Sequence, residues 1–346
     1  MMRYLLLLAL LGSGNGLLAQ TARFGAAIPV HPEFLGNPQL LTNDGTSRSP
    51  SWTKDGKRLL FVTKPEEGCP QAYWLDLETK EKLLASTGKG TVRQAVALSK
   101  GKSWIFDSTH ETGGQCAQNS LGSVPAAFNI FMANEKNRLE RLVGASGFDG
   151  ELSISEEEKR IVYTSQASGD LEIWSMEPDG LNKRQLTRSP GYDGDPHVSP
   201  DGRRIVFRST RLRGDAAEKK AKAELEQERA SMTPSEIFVM DFRGNDQKQV
   251  TSFGCTVLSP VWAPDNRRIL FSADLPLCTG KNFELFMVNL DGSGLVQLTR
   301  GSEFSSEPSF SPDGRRLIYS RNGNLVIADW QAPAPPPDTL NPLSKP

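Results

Sequence analysis

Pro50-Ser51-Trp52-Thr53-Lys54-Asp55-Gly56-Lys57-Arg58-Leu59-Leu60-Phe61 is a phrase that this chain of 346 residues writes six times. Its clearest copies run from Pro196 to Phe207 and from Pro308 to Tyr319, each with Ser-Pro-Asp-Gly-Arg-Arg at its centre. A third copy, Pro260 to Phe271, has Asp265-Asn266 at the turn. Two are degenerate: Ala95 to Phe106 keeps only Gly101, and Leu152 to Tyr163 carries Glu157-Glu158 there. The turn positions 56, 101, 158, 202, 266 and 314 are spaced by 45, 57, 44, 64 and 48 residues, a period that suits propeller blades of four short strands. Each phrase is a hairpin, because Asp-Gly supplies the positive φ angles that a two-residue turn needs between twisted strands. The Lys or Arg after the turn reads as a solvated flank, and the Leu/Ile-x-Phe/Tyr alternation places every second residue against a neighbouring blade.

A second phrase follows the first: Tyr73 to Leu77, Ile130 to Ala133, Ile173 to Met176, Ile237 to Asp241 and Leu285 to Asn289, most continuing through a Gly turn into Leu-Thr, as at Leu186-Thr187 and Leu298-Thr299. Each repeat thus holds strands A and B in one hairpin and C and D in the next. The sixth stops after Leu325-Val326-Ile327-Ala328, and Gln39-Leu40-Leu41-Thr42 is the candidate for its missing outer strand. Closing the ring in this way removes exposed sheet edges. The fold expected is therefore all-β, a six-bladed β-propeller over residues 39–330 closed by an N-terminal strand, with a leader over 20–38 and a Pro-rich tail over 331–346.

These two phrases resemble the repeats of the TolB propeller family, P-x-W-S-P-D-G-x-x-I-x-F followed by I-Y-x-M-x-x-D-G and a closing L-T. The resemblance covers residues 39–330. It implies the fold, and only loosely a function. TolB carries an α/β domain ahead of its propeller, whereas only Gln20 to Pro38 stand there in this chain.

Residues 1–19 carry Arg3, an apolar run from Leu5 to Leu11 and a small-residue stretch before Ala19. That is the pattern of a secretory signal peptide, and no segment approaches the roughly 20 apolar residues of a membrane span. A periplasmic or secreted protein, monomeric and without a membrane span, is expected. Removing Arg3 leaves 39 Lys and Arg against 41 Asp and Glu, which argues against nucleic acid as partner, since phosphate binding needs a concentrated positive surface. The four cysteines allow three pairings in an oxidising compartment. Cys69 and Cys116 occupy corresponding loops of adjacent blades, while Cys255 and Cys278 flank one hairpin, so 69 with 116 and 255 with 278 is the expected pairing.

No G-x-S-x-G, H-x-x-x-H, C-x-x-C or phosphate-binding Gly loop occurs, and the histidines are His31, His110 and His197 alone. No catalytic residue, no cofactor and no particular metal is assigned. Strand order puts the D-to-A and B-to-C loops on one face of the ring. Gly147-Phe148-Asp149-Gly150-Glu151 and Gly191-Tyr192-Asp193-Gly194-Asp195 repeat each other there, and Glu307 holds the matching place in the last blade. Read structurally, these acids cap turns and brace aromatic rings. Read functionally, Asp149, Glu151, Asp193, Asp195 and Glu307, with His197 beside them, form an acidic rim for a cation or a partner's basic group, and His197 titrates near neutrality. Arg48 and Arg93 make the opposite rim basic.

The fourth blade's B-to-C loop, 211–234, contains a helix-forming run from Ala216 to Arg229 whose one large apolar residue is Leu225. It reads as a solvated protrusion, or else as an arm for a partner. The function expected is a non-catalytic binding or scaffolding propeller of the cell envelope, with a protein or glycan ligand at the loop-bearing channel mouth. The alternative is a carbohydrate-active lyase or hydrolase using the rim carboxylates.

Overall fold

The computed structural model describes residues 28–333 except 99–101, 114, 118–119, 121, 137, 145–146, 156, 158, 232–233 and 302–303. The signal segment, the turn residues Gly101 and Glu158, and all but the first residues of the Pro-rich tail lie outside the described residues.

The strands form six antiparallel four-stranded sheets. Blade 1 consists of Arg48–Trp52, Arg58–Thr63, Gln71–Asp76 and Lys82–Leu84, and blades 2 to 5 begin with Val92–Ala97, Asp149–Ser155, Asp193–Val198 and Val257–Trp262. Blade 6 has only three strands of its own, Ser305–Phe310, Arg316–Arg321 and Asn324–Trp330. Its outer strand is Leu35–Leu40, antiparallel to Asn324–Trp330 with Leu35 opposite Trp330 and Leu40 opposite Val326. The closing strand therefore starts four residues before the expected Gln39. The leader is structured too: Gln297 of blade 5 exchanges hydrogen bonds with Pro29 and His31, so the N-terminal segment fastens two blades.

Asp-Gly lies at the A-to-B turns, but the turn is longer than the two residues expected: strand A ends at Trp52, strand B starts at Arg58, and the Gly56 amide donates to the Thr53 carbonyl. Only the glycine takes a positive φ, 66° at Gly56, 72° at Gly202 and 69° at Gly314. In these turns the preceding Thr53, Ser199 or Ser311 hydroxyl donates to the Asp carboxylate. Of the two basic residues that follow, only the first is a solvated flank. In two of the three turns the second lies against the next blade, the Arg316 guanidinium 4.8 Å from the Trp52 ring and Arg204 4.6 Å from Trp262, whereas Arg58 stacks on Trp74 of its own blade at 5.0 Å. The Trp52 and Trp262 indoles in turn donate to strand-A carbonyls of the blade behind, Trp52 to Ser309 and Trp262 to His197. The repeated Arg and Trp are thus one device for joining blades, combining a cation–π contact with a hydrogen bond.

Strand B departs from simple alternation: Leu59, Leu60, Phe61 and Val62 are all fully buried, because every blade is sandwiched between two others and both faces of its central strands lose water. The apolar core is correspondingly divided into six seams, one between each pair of neighbouring blades, including the closing seam of Trp52, Leu59 and Phe61 against Ile318 and Leu325. The Leu-Thr signature has a polar role at the rim of these sheets. The hydroxyls of Thr187, Thr251 and Thr299 accept from the amides of Ile173, Ile237 and Leu285, which holds strand D to the start of strand C.

A seventh apolar cluster lies on the loop face: Val124, Phe128, Phe148, Leu171, Tyr192 and Leu225. Leu225 ends the inserted helix α1 (Asp215–Leu225) and is 8% exposed. Beyond α1 the insert pairs with the B-to-C loop of blade 2, the Val124 amide donating to the Glu228 carbonyl and the Ala230 amide to that of Gly122. The insert is not a solvated protrusion. One leucine and a short backbone pairing are enough to lay it across blades 2 to 4.

Candidate functional site

Strand A of each blade carries a register shift near its loop-face end. The bulged residues are Ser49, Arg93, Glu151, Asp195, Ser259 and Glu307, and all but Arg93 have φ between 48° and 55°. Bulges re-aim side chains, and here they turn this ring of residues into the mouth of the central channel, a cavity of about 780 Å³.

The ring explains why three of its members are acidic. A bulge frees a backbone amide, and a carboxylate of the preceding blade accepts it: Asp195 N–H donates to Glu151 at 2.9 Å, Ser259 N–H to Asp195 at 2.9 Å, and Ser49 N–H to Glu307 at 2.8 Å. Glu151 Oε2 also accepts from the hydroxyls of Thr164 and Tyr192, both at 2.7 Å. In blade 2, where the bulge holds Arg93, the acceptor comes from strand B: Asp107 Oδ1 takes the amides of Arg93 and Gln94.

Arg208 closes the acidic side. It is 4% exposed, its Nε lies 3.2 Å from Asp195 Oδ2, its Nη2 4.0 Å from Glu151 Oε1, and its guanidinium 4.6 Å from the Tyr192 ring. Burial pushes the Glu151 carboxyl up, but Arg208, Arg93 and the hydroxyl donors hold it below its ordinary value. For Asp195 burial prevails over Arg208 and the pKa is raised. Sequence reading missed both Arg208 and Asp107. Their signal lay in one column of the strand-B phrases, the residue after the aromatic: Val62, Asp107, Thr164, Arg208, Ser272 and Ser320, charged in two blades alone.

Six of the eight expected rim residues line the cavity: Arg48, Arg93, Glu151, Asp195, His197 and Glu307. Asp149 and Asp193 do not. Both are fully buried behind the bulge, Asp149 accepting from Ser165 and Asp193 lying 3.9 Å from Arg211. His197 lies on the channel wall, where desolvation lowers its pKa to about 4. It stays neutral near pH 7, against the expectation of a titration there. Among the described residues no group of three or more His, Cys, Asp and Glu is placed to hold a metal ion. Disulfides join Cys69 to Cys116 and Cys255 to Cys278, the pairing read from the sequence, and tie loops of this same face together.

Outside the channel, Glu172 is 3% exposed between blades 3 and 4. Burial pushes its carboxyl up to about 8, against the pull of Thr187, while Asp193 and Asp170 add like charge. Asp193 itself is pushed up by burial to about 6, against Arg211. Both groups hold a proton more tightly folded than unfolded. Their contribution to stability is therefore complete below about pH 4 and is lost as pH rises through 6 and then 8, by up to about 1.4 kcal/mol per pH unit for each proton. Glu172→Gln keeps an acceptor for Thr187, as Gln71 accepts from Ser86 in blade 1. In urea melts at pH 9 the variant should exceed the wild type by roughly 2–3 kcal/mol, and at pH 4 the two should coincide. Equal midpoints at pH 9 would mean that Glu172 is ionised without penalty.

No protein-family model and no curated protein sequence matches the chain. Solved structures do. A putative TolB from Agrobacterium tumefaciens aligns with a TM-score of 0.58 at 18% identity, over 83% of this chain and 91% of that one. A gluconolactonase from Xanthomonas campestris aligns with a TM-score of 0.58 at 12% identity, over 85% of this chain and 89% of that one. An oligogalacturonate lyase in complex with manganese gives 0.52 at 14% identity, over 85% and 93%. At these identities the likeness is one of fold.

Proposed function

We propose that this chain is a binding propeller of the periplasm or extracellular space that holds a protein or glycan ligand at the loop-bearing mouth of its channel. The observation that carries the reading is the mouth cavity, whose rim offers exposed Lys64 and 42%-exposed Phe304 while its carboxylates are already committed to blade seams and Arg208. A general acid or base must reach a substrate proton, and carboxylates engaged with amides and a buried arginine are better suited to holding the ring together. The two disulfides fit an oxidising compartment, and no helix of the described residues is long and apolar enough to cross a membrane. Carbohydrate lysis or hydrolysis is the second reading, supported by the fold shared with a gluconolactonase and an oligogalacturonate lyase.

Blocking each face in turn tests the proposal. The described residues hold no free cysteine, so Lys64→Cys at the mouth and Arg203→Cys at the turn face each offer a thiol for a bulky maleimide. Capture of ligand from envelope extract should be lost on blocking position 64 and kept on blocking position 203. The reverse pattern would place the binding surface on the turn face.

A further inference from the structure

We propose that Arg93, with Arg48 beside it, anchors a carboxylate-binding subsite in the basic half of the channel mouth, so that the ligand carries an acidic group. The proposal rests on the mouth being the binding surface and names what that surface recognises.

Arg93 is held as a binding group is held. Its guanidinium sits 4.9 Å from the ring of Phe148 and 5.5 Å from that of Phe128, and Nη1 donates to the Ser123 carbonyl at 3.3 Å. A guanidinium has five N–H donors, and this is the one side-chain hydrogen bond that Arg93 makes among the described residues. None of their carboxylates pairs with it. Asp107 and Glu151 are near enough to feel its charge, yet Asp107 accepts backbone amides at Oδ1 while its buried Oδ2 makes no hydrogen bond to Arg93, and Glu151 is engaged with Thr164, Tyr192 and Asp195. Arg208 across the mouth is the contrast, since it faces Asp195 and Glu151 directly.

The cage is built by distant parts of the chain. Phe128 and Phe148 belong to the apolar cluster that Leu225 of α1 completes, and Ser123, in the B-to-C loop of blade 2, forms an isolated β-bridge with Arg229 of the insert. A long insertion in blade 4 thus fixes an arginine of blade 2, which gives the insert a task. Arg48 reaches toward the same place, its Nη2 donating to the Val92 carbonyl at 3.3 Å, and its pKa is lowered by burial and by the charge of Arg93. Exposed Lys64 stands on the same side of the cavity. The charges of Glu307 and Asp107 act on Arg48 and temper the positive charge there, and a planar guanidinium fork matches a carboxylate in geometry.

Such a carboxylate comes from an acidic peptide or from a uronic acid sugar, and calorimetric titration with both decides between them. The probes are trigalacturonate and a capped hexaglutamate, with galactotriose and capped hexaglutamine as neutral controls, at low salt. One acidic probe should bind while its neutral counterpart does not. Its affinity should fall at least about tenfold in Arg93→Gln and in Arg48→Gln, with Arg93→Lys intermediate. Circular-dichroism melts confirm that the variants are folded, and the two arginines sit on different blades, so loss of one variant leaves the other. Binding of neither acidic probe, or equal affinity in wild type and variants, overturns the subsite. If capture is still lost when position 64 is blocked, the mouth remains the binding surface and only its acidic specificity is wrong.

Discussion

A chain beginning at Asp44, with the closing strand and the leader segment removed, is expected to lose its cooperative urea transition at the wild-type midpoint and to self-associate on gel filtration. Asn324–Trp330 would then be an edge strand with its backbone groups unpaired, and Gln297 of blade 5 would lose its partners as well. The strand bonds forfeited are each worth about 1 kcal/mol net, so the loss is on the order of 5 kcal/mol before the newly exposed Leu325 and Ile327 are counted. That is a large part of the stability of an ordinary domain. An open edge also templates pairing with another chain. The peptide of residues 28–43 added in trans should restore part of the lost stability, because it supplies the same strand. An unchanged midpoint in the truncated chain would show that the ring does not depend on closure by its N-terminus.

Replacing Arg208 should cost nearly as much. Arg208→Gln removes the cation that faces both Glu151 and Asp195 and leaves two carboxylates in a confined mouth. Breaking a buried pair by deleting one partner typically costs about 3–5 kcal/mol. A double-mutant cycle separates the pair from the packing: Glu151→Gln in the Arg208→Gln background should recover part of the loss, since the uncompensated charge has gone. For the same reason Glu151→Gln with Asp195→Asn is no neutral probe of binding. It strips Arg208 of its counter-charges and weakens the acceptors of two blade-to-blade amides. Additive single and double losses in urea titrations would mean that Arg208 acts through packing on Tyr192 instead of through charge.

How much of this could be read beforehand depended on whether a residue's role repeats. Asp55-Gly56, Asp201-Gly202 and Asp313-Gly314 obey a local rule of turn geometry, so the hairpins, the period and the six blades were legible. The pairing of Cys69 with Cys116 followed from counting loops on one face. The acidic column at Glu151, Asp195 and Glu307 was visible as a pattern, but its cause was not: each carboxylate serves an amide of another blade, some 40 to 260 residues away. Asp149 and Asp193 sit two residues from true rim positions, yet the bulge sends them to the opposite side of the strand. The start of the closing strand at Leu35 was hidden because Gly36, Asn37 and Pro38 are poor strand formers, held there by pairing with Asn324–Trp330. For the insert, a composition of Ala, Glu and Lys describes a solvated helix; that Leu225 finds Phe128, Phe148 and Tyr192 under it is a tertiary fact.

Photo-crosslinking tests most directly whether ligand is held at the channel mouth. Benzoylphenylalanine in place of Phe304, which is exposed and lines the cavity, is compared with the same residue in place of Arg315, which is exposed beside the Asp313-Gly314 turn on the far face. After irradiation in envelope extract, position 304 is predicted to yield a discrete covalent adduct that excess unlabelled wild-type chain competes away, and position 315 to yield none. An adduct at 315 with none at 304 would contradict the account.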